Sequence, residues 1–388
     1  MDTTKIKNKN IGNFKASVKS GITVDKNKLN GKFMDRLNDM LHKSSAADKL
    51  KAVEKIAGNT VKLGFEKAVA HFENPALYPL PQGEKNLESA VFDLLSVLPK
   101  KKRNKLIDKV NELLKAPAEK RTQVYGDIVN VDFRSAVSIA EQVKNKPELK
   151  KYSFTEKEIE EFNSAFKTLI ANSNLPQPQQ AASAGTLGFF VDSMTCLNPD
   201  DAFKDEVSLG GFLIDSVGNT IDLAPRFIGK FRKNETVSLG ANNKLFTVTI
   251  DPALQQQTFS ANLFIIEGDL VSNLDALDKF LVVMGIIALT LGLVAFGIVI
   301  AGSLGAAVTF TQFFIAFFAA TGLGLINLNI LPLLGDDISN ITADNLFFEG
   351  RIEIGQEFTR TIEIGKGFDF NSTFDGKYTA AARWVGEN

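Results

Sequence analysis

From Phe280 to Gly335 the chain runs for 56 residues without an Asp, Glu, Lys, Arg or His. So much uncharged apolar surface has to be sheltered somewhere, and every other segment must fold around that requirement. A helix crosses a hydrocarbon layer of roughly 30 Å with about 20 apolar residues, so the run is long enough for two passes. Gly302, Ser303 and Gly305 interrupt it near the middle and mark a turn. The pattern therefore reads as a helical hairpin, Phe280 to Ala301 and Leu304 to about Leu325, with a shorter tail ended by Pro332.

Small residues at Gly285, Ala288, Gly292, Ala295, Gly297, Ala301 and Gly305 include several pairs four apart, a spacing that lets two helix backbones approach closely. The second arm is bulkier. Phe310, Phe313, Phe314, Phe317 and Phe318 dominate it, with Thr309, Thr311 and Gln312 as the polar side chains among them. The turn is uncharged, so passing it through a bilayer avoids the cost of moving an ion through hydrocarbon. The expectation is a hairpin that enters a lipid bilayer tip first, with Phe280, Gly285, Gly292, Gly297, Gly302, Gly305 and the five phenylalanines as its membrane-inserting residues. A helix that is hydrophobic all round also occurs as buried core, so the alternative is a hairpin held inside a fold or an oligomer interface. A constitutive two-pass protein would carry Lys and Arg beside its spans, whereas Asp275, Asp278, Asp336 and Asp337 flank this one with Lys279.

The chain has 388 residues, enough for two or three domains, and its net charge of −1 conceals a division. Residues 1–180 carry 32 Lys and Arg against 22 Asp and Glu, and the remainder carries 12 against 23. Oppositely charged halves point to at least two domains more than to nucleic-acid binding, for which a basic domain is ordinarily more extreme. Cys196 is the single cysteine, which excludes an intrachain disulfide and a cysteine metal cluster. The opening MDTTKIKNKNIGNFK has no apolar stretch of the secretory type, so the expectation is synthesis in the cytoplasm without a signal peptide and non-classical export.

Residues 1–27 hold Lys5, Lys7, Lys9, Lys15, Lys19 and Lys26 with few apolar neighbours, the composition of a flexible basic leader. A docking signal for an export apparatus and a patch for anionic lipid are the sharper readings. From about Asn30 to Leu169 apolar residues recur at helical intervals, as in Phe33, Leu37, Leu41 and Leu50, Val53, Ile56. Helices are predicted at Asn86 to Leu98, at Lys101 to Leu114 and at Thr155 to Ala171, the last opening with Thr155 and Glu158 in capping-box spacing. Together they predict a helical bundle over residues 28–171. The cluster Lys100, Lys101, Lys102, Arg103 and Lys105 reads as a solvated helix start. Residues 172–185, NSNLPQPQQAASAG, are the clearest linker.

Beyond the linker the period becomes alternating. Strands are predicted at Leu187 to Cys196, Val207 to Ile214, Leu245 to Ile250, Thr258 to Ile266, Leu346 to Ile354, Phe358 to Ile364 and Lys377 to Val385. Ile-Glu-Ile-Gly occurs twice, at Ile352 to Gly355 and Ile362 to Gly365, as neighbouring strands of similar facing would. The fold class is therefore α+β: an N-terminal helical bundle, then an antiparallel β-sandwich over residues 186–388 with the apolar hairpin inserted between its fourth and fifth strands.

Leu187 to Asp215 resembles the opening of a poorly characterised bacterial β-sandwich module. There a strand ending near a Cys leads through an acidic loop to D-E-[VI]-x-L-G-G, matched here by Asp205, Glu206, Val207, Leu209, Gly210 and Gly211. The Gly- and Ala-rich apolar insert, the Gly-Asp-Asp exit at Gly335 to Asp337, and an ending with Asp375, Gly376, Tyr378, Arg383 and Trp384 extend the resemblance. None of these motifs is catalytic. Helices plus an apolar hairpin are also similar in plan to α-helical pore-forming toxins.

Chemistry-bearing motifs are sparse. His42 and His71 are the only histidines, and no G-x-S-x-G, H-E-x-x-H or P-loop pattern occurs. Cys196 lies in an apolar strand, the setting of an inert buried thiol. Asp200, Asp201, Asp205 and Glu206 in one loop lack calcium-loop spacing and read as a solvated rim, with oxygen ligation of calcium as the alternative. No other cofactor is expected, and the chain reads as a non-enzyme. The leading expectation is a membrane-inserting, pore-forming bacterial effector or toxin, with a lipid bilayer, further copies of itself and a delivery machine as partners. The alternative is a non-catalytic structural or binding module, such as cargo or a component of a secretion assembly.

Overall fold

The computed structural model describes residues 47–82, 86–153, 183–199, 204–216, 219–254, 256–267, 341–349, 351–365 and 374–388, together with Ser339 and several positions between 155 and 164. It is α+β, with helices preceding two antiparallel sheets.

The helices are α1 (Ala47–Glu73), α2 (Leu87–Val97), α3 (Lys100–Leu114), α4 (Ala118–Tyr125) and α5 (Ile139–Lys144). Between Ala57 and Ala70 nearly every side chain of α1 is buried, because α2, α3, α4 and α5 all lie against it. The start of α2 is fixed by Asn86, whose side chain accepts the Ser89 N–H at 2.8 Å. Thr155 and Glu158 form the expected reciprocal capping box: Thr155 N–H donates to Glu158 Oε2 at 2.7 Å and Glu158 N–H to Thr155 Oγ1 at 3.2 Å. Lys49 of α1 pairs with that same Glu158 at 2.7 Å.

The strands are β1 (Thr186–Asn198), β2 (Asp205–Ile214), β3 (Thr220–Phe231), β4 (Thr236–Ser238), β5 (Lys244–Thr249), β6 (Gln256–Glu267), β7 (Thr342–Glu349), β8 (Glu357–Gly365) and β9 (Lys377–Glu387). One sheet runs β4-β1-β9-β8, with β5 beside the first half of β1, and the other runs β3-β2-β6-β7. Their facing sides share one core, including Phe189, Met194, Phe231, Phe259, Tyr378 and Trp384. Strand β1 switches face part-way. Leu187, Phe189 and Val191 point into the core, then Met194 and Cys196 do, because the pairing with β9 slips between Val191 and Ser193. The extra residue, Asp192, forms a bulge and restores the apolar side to the core.

All seven predicted strands are present with ends shifted by a few residues, and β3 and β4 are additional. Strand β3 shows no alternation because it is an edge strand with two register shifts against β2, and Pro225 sits at one of them. The Ile-Glu-Ile-Gly repeat does not pair with itself. Ile362 to Gly365 ends β8, whereas Ile352 to Gly355 is a turn tied to Ser183 by an isolated bridge. Both copies end in a positive-φ glycine, Gly355 at 78° and Gly365 at 140°, so the repeat marks two chain reversals.

The expectation of a membrane-inserting, pore-forming toxin is corrected. Among the described residues no helix is long and apolar enough to cross a membrane. Helix α1, at 27 residues and about 40 Å, has the length but carries Lys49, Lys51, Lys55, Lys62, Glu66 and Lys67. Helix α3 has 15 residues, about 22 Å, and opens on a run of lysines. The segment to which insertion was assigned, Phe280 through Gly285, Gly292, Gly297, Gly302 and Gly305 to Phe310, Phe313, Phe314, Phe317 and Phe318, lies outside the described residues. So do the basic leader and linker residues 172–182.

Candidate functional site

The residues of the C-terminal motif converge on carboxylates. Strand β9 lies between β1 and β8, with Tyr378, Ala380, Ala382 and Trp384 facing the core and Arg383 facing outward. Tyr378, fully buried, donates its hydroxyl to Asp205 of β2, also fully buried, across the gap between the sheets. Trp384, equally buried, donates its indole N–H to Asp344 Oδ2 of β7 at 2.6 Å. Asp344 is also 3.5 Å from the guanidinium of Arg360 on β8. On the outer face Arg383 Nε donates to Asp192 at 3.0 Å and Nη1 to Glu357 at 2.9 Å, while its guanidinium lies 4.5 Å from the Phe190 ring. Tyr378, Trp384 and Arg383 thus each engage an acid on another strand.

Electrostatics follow from burial. The Tyr378 phenol is held far above its ordinary range, first by desolvation and then by the Asp205 bond, so it stays a donor. Burial pushes the Asp344 carboxyl up, opposed by Arg360 and Trp384. Burial, reinforced by Asp205, lifts the Cys196 thiol to about 11 despite its contact with Tyr378, so it is a thiol at neutral pH. That agrees with the inert cysteine expected from its apolar strand.

Of the calcium candidates, the two that are described, Asp205 and Glu206, point to opposite faces of β2. Asp205 is inside the core, whereas its neighbour Glu206 points the other way and pairs with Lys230 of β3. Alternation along a strand separates consecutive side chains in this way, and reading the four acids as one loop missed that β2 begins at Asp205. Asp200 and Asp201 lie outside the described residues. Among the described residues no group of three or more metal-ligating side chains assembles.

A second set of buried charges sits on α1. Glu66 accepts from Arg121 and from the Tyr125 hydroxyl, at 2.7 and 2.6 Å. Lys67, with 0% exposure, donates to the carbonyls of Ser135 and Val137 at 2.8 and 2.9 Å. Glu88 of α2 accepts the Ile139 N–H at 2.6 Å. These bonds strap residues 121–139 onto α1 and α2, satisfying backbone groups that the loop leaves unpaired. Burial lowers Lys67 and raises Glu88. His71 donates from Nδ1 to the Tyr78 carbonyl at 2.7 Å and sits edge-on to Phe92, a structural placement.

Tyr378, Trp384, Arg383 and Asp205 were legible as motif residues, but their partners Asp344, Asp192, Glu357 and Arg360 were not. The only signal would have been an acid or base at an inward position of a strand, Asp344 and Arg360 being the instances. No protein-family profile matches the chain, and neither a curated protein nor a solved structure matches it.

Proposed function

We propose that the chain is a non-catalytic structural or binding module. In this reading a helical bundle over residues 28–171 is joined by a linker to a β-sandwich over 186–388, which carries residues 280–335 as an insertion between β6 and β7. The resemblance to the bacterial β-sandwich module bears on the second of these domains. One observation carries the reading: Tyr378, Arg383 and Trp384 of the C-terminal motif each engage a carboxylate on another strand. Two of the three bonds join opposite sheets, and that of Tyr378 with Asp205 is fully buried, which is how a motif acts when it holds a fold together. The basic leader would dock the module into a larger protein assembly, where further copies of the chain are a natural partner.

Groups arranged for catalysis are commonly held at a cost to stability, so removing them often stabilises a protein, whereas removing an architectural bond destabilises it. Thermal unfolding of Asp205→Asn, Tyr378→Phe and Trp384→Phe separates the two. The scaffold reading expects each to unfold at lower temperature, by about 1–3 kcal/mol of lost stability. Unchanged or raised melting temperatures across the set would remove it.

A further inference from the structure

The inner face of the β3-β2-β6-β7 sheet, with Val207, Leu209 and Leu213 of β2 and Phe259, Leu263 and Ile265 of β6, belongs to the core between the sheets. The outer face carries Ser208, Phe212 and Ile214 of β2 and Ser260, Asn262, Phe264 and Ile266 of β6. It too is closed to water: Phe212, Phe264 and Ile266 are 0% exposed and Ile214 is 4% exposed, yet none of them belongs to that core. Phe264 lies over Gly210, where a side chain would collide with its ring, and Pro225 of β3 sits alongside. At the β3 edge the face opens, with Phe227 53% exposed. Among the described elements, those substantially beside β2 and β6 are their sheet neighbours and, for β6, β8 across the core. An antiparallel sheet that faces water on one side alternates apolar with polar; a sheet dry on both sides has a third layer.

We propose that the outer face of β2 and β6 is the docking surface for the chain's own uncharged segment 280–335. The face is closed within a single chain, so its cover comes from this chain. Of the stretches outside the described residues, the leader is rich in lysine and residues 172–182 are Pro, Gln, Asn and Ser with few apolar side chains. Residues 366–373 are too short to cover two strands. Segment 280–335 alone combines length, apolar surface and absence of charge. Its connections begin at the right place. The chain leaves the sheet after Glu267, beside outward-facing Ile266, and returns at Ser339, whose N–H donates to the Ile265 carbonyl at 2.9 Å and whose hydroxyl accepts the Ile265 N–H at 2.8 Å. The chain therefore leaves and rejoins the sheet at one end of the face. The inference stands independently of the motif-as-scaffold reading, because none of its residues is a partner of Tyr378 or Trp384.

Benzoylphenylalanine placed at Phe212 or Phe264 in the full-length chain, irradiated as monomer and mapped by mass spectrometry, tests it. Cross-links from both positions into 280–335 of the same chain are expected. Cross-links to residues 1–46, to a second chain, to described residues only, or no cross-links, would overturn the proposal. A second chain in which a short Gly-Ser linker replaces residues 280–335 should acquire binding of an apolar-surface dye at least several-fold above the parent. Dye binding and thermal midpoint both equal to the parent's would also overturn it.

Discussion

Trp384 is buried from water, yet its indole N–H has a partner in Asp344, and Asp344 has a second in Arg360. A buried indole donor without an acceptor costs about 1–3 kcal/mol, so the identity of residue 344 is fixed by residue 384 rather than by strand propensity. Asp disfavours strands, and this acid would not be chosen there for the backbone's sake. Buried charge also sets a pH dependence at Glu88. Burial raises its folded-state pKa above the ordinary value of 4.5, so between those two values the folded state binds more proton than the unfolded one. Stability contributed by Glu88 is then lost as pH rises through that window. Glu88→Gln keeps the acceptor for Ile139 N–H and removes the charge, so the unfolding free energy of the parent relative to this variant should decline as pH rises above 4.5 and level off above the raised value. Urea denaturation of both proteins from pH 4 to pH 8, roughly the range over which a raised carboxyl titrates, reads the difference directly. A difference constant with pH would contradict the burial account.

At the scale of the element, what was readable in the sequence was alternation, and what was not readable was every place where alternation stops. Strands β8 and β9 carry clean two-residue patterns and were legible almost to their ends, as was the capping box at Thr155 and Glu158. Strand β3 was invisible because its register slips twice and it is partly exposed on both sides, so no period survives. The Asp192 bulge was equally hidden, since nothing local distinguishes an extra residue from an ordinary one until β9 lies beside it. That bulge makes a strong prediction. Deleting Asp192 would turn either Leu187, Phe189 and Val191 or Met194 and Cys196 away from the core, because a one-residue slip inverts every side chain beyond it. It also removes the carboxylate bound by Arg383 and Asn243. The deletion should abolish cooperative unfolding of the β-domain in near-ultraviolet circular dichroism, whereas Asp192→Asn, which keeps the residue count, should cost only about 1 kcal/mol. Equal effects of the two changes would show that register is not what Asp192 provides.

For the whole molecule, the division into helices and antiparallel strands was legible from the change of period near residue 185 and needed no tertiary information. The site was less legible, because three of its pairs join residues 40 to 191 positions apart in sequence: Trp384 with Asp344, Tyr378 with Asp205, Arg383 with Asp192. From the sequence the acids near Asp205 read as a solvated rim or as calcium donors, and the apolar run as a membrane hairpin. Asp205 instead faces the core, and no described helix is both long and apolar enough to cross a membrane. Strand β9 lies inside its sheet, pairing with β1 along its length and with β8 on its other side. The central claim is that its motif side chains hold the sheets together. A double-mutant cycle of Trp384→Phe and Asp344→Asn, measured by urea unfolding of the full chain, tests that claim most directly. The account predicts that each change alone lowers stability by about 1–3 kcal/mol and that the two are coupled by about 1 kcal/mol or more. Single changes that leave stability intact, or two losses that simply add, would contradict it.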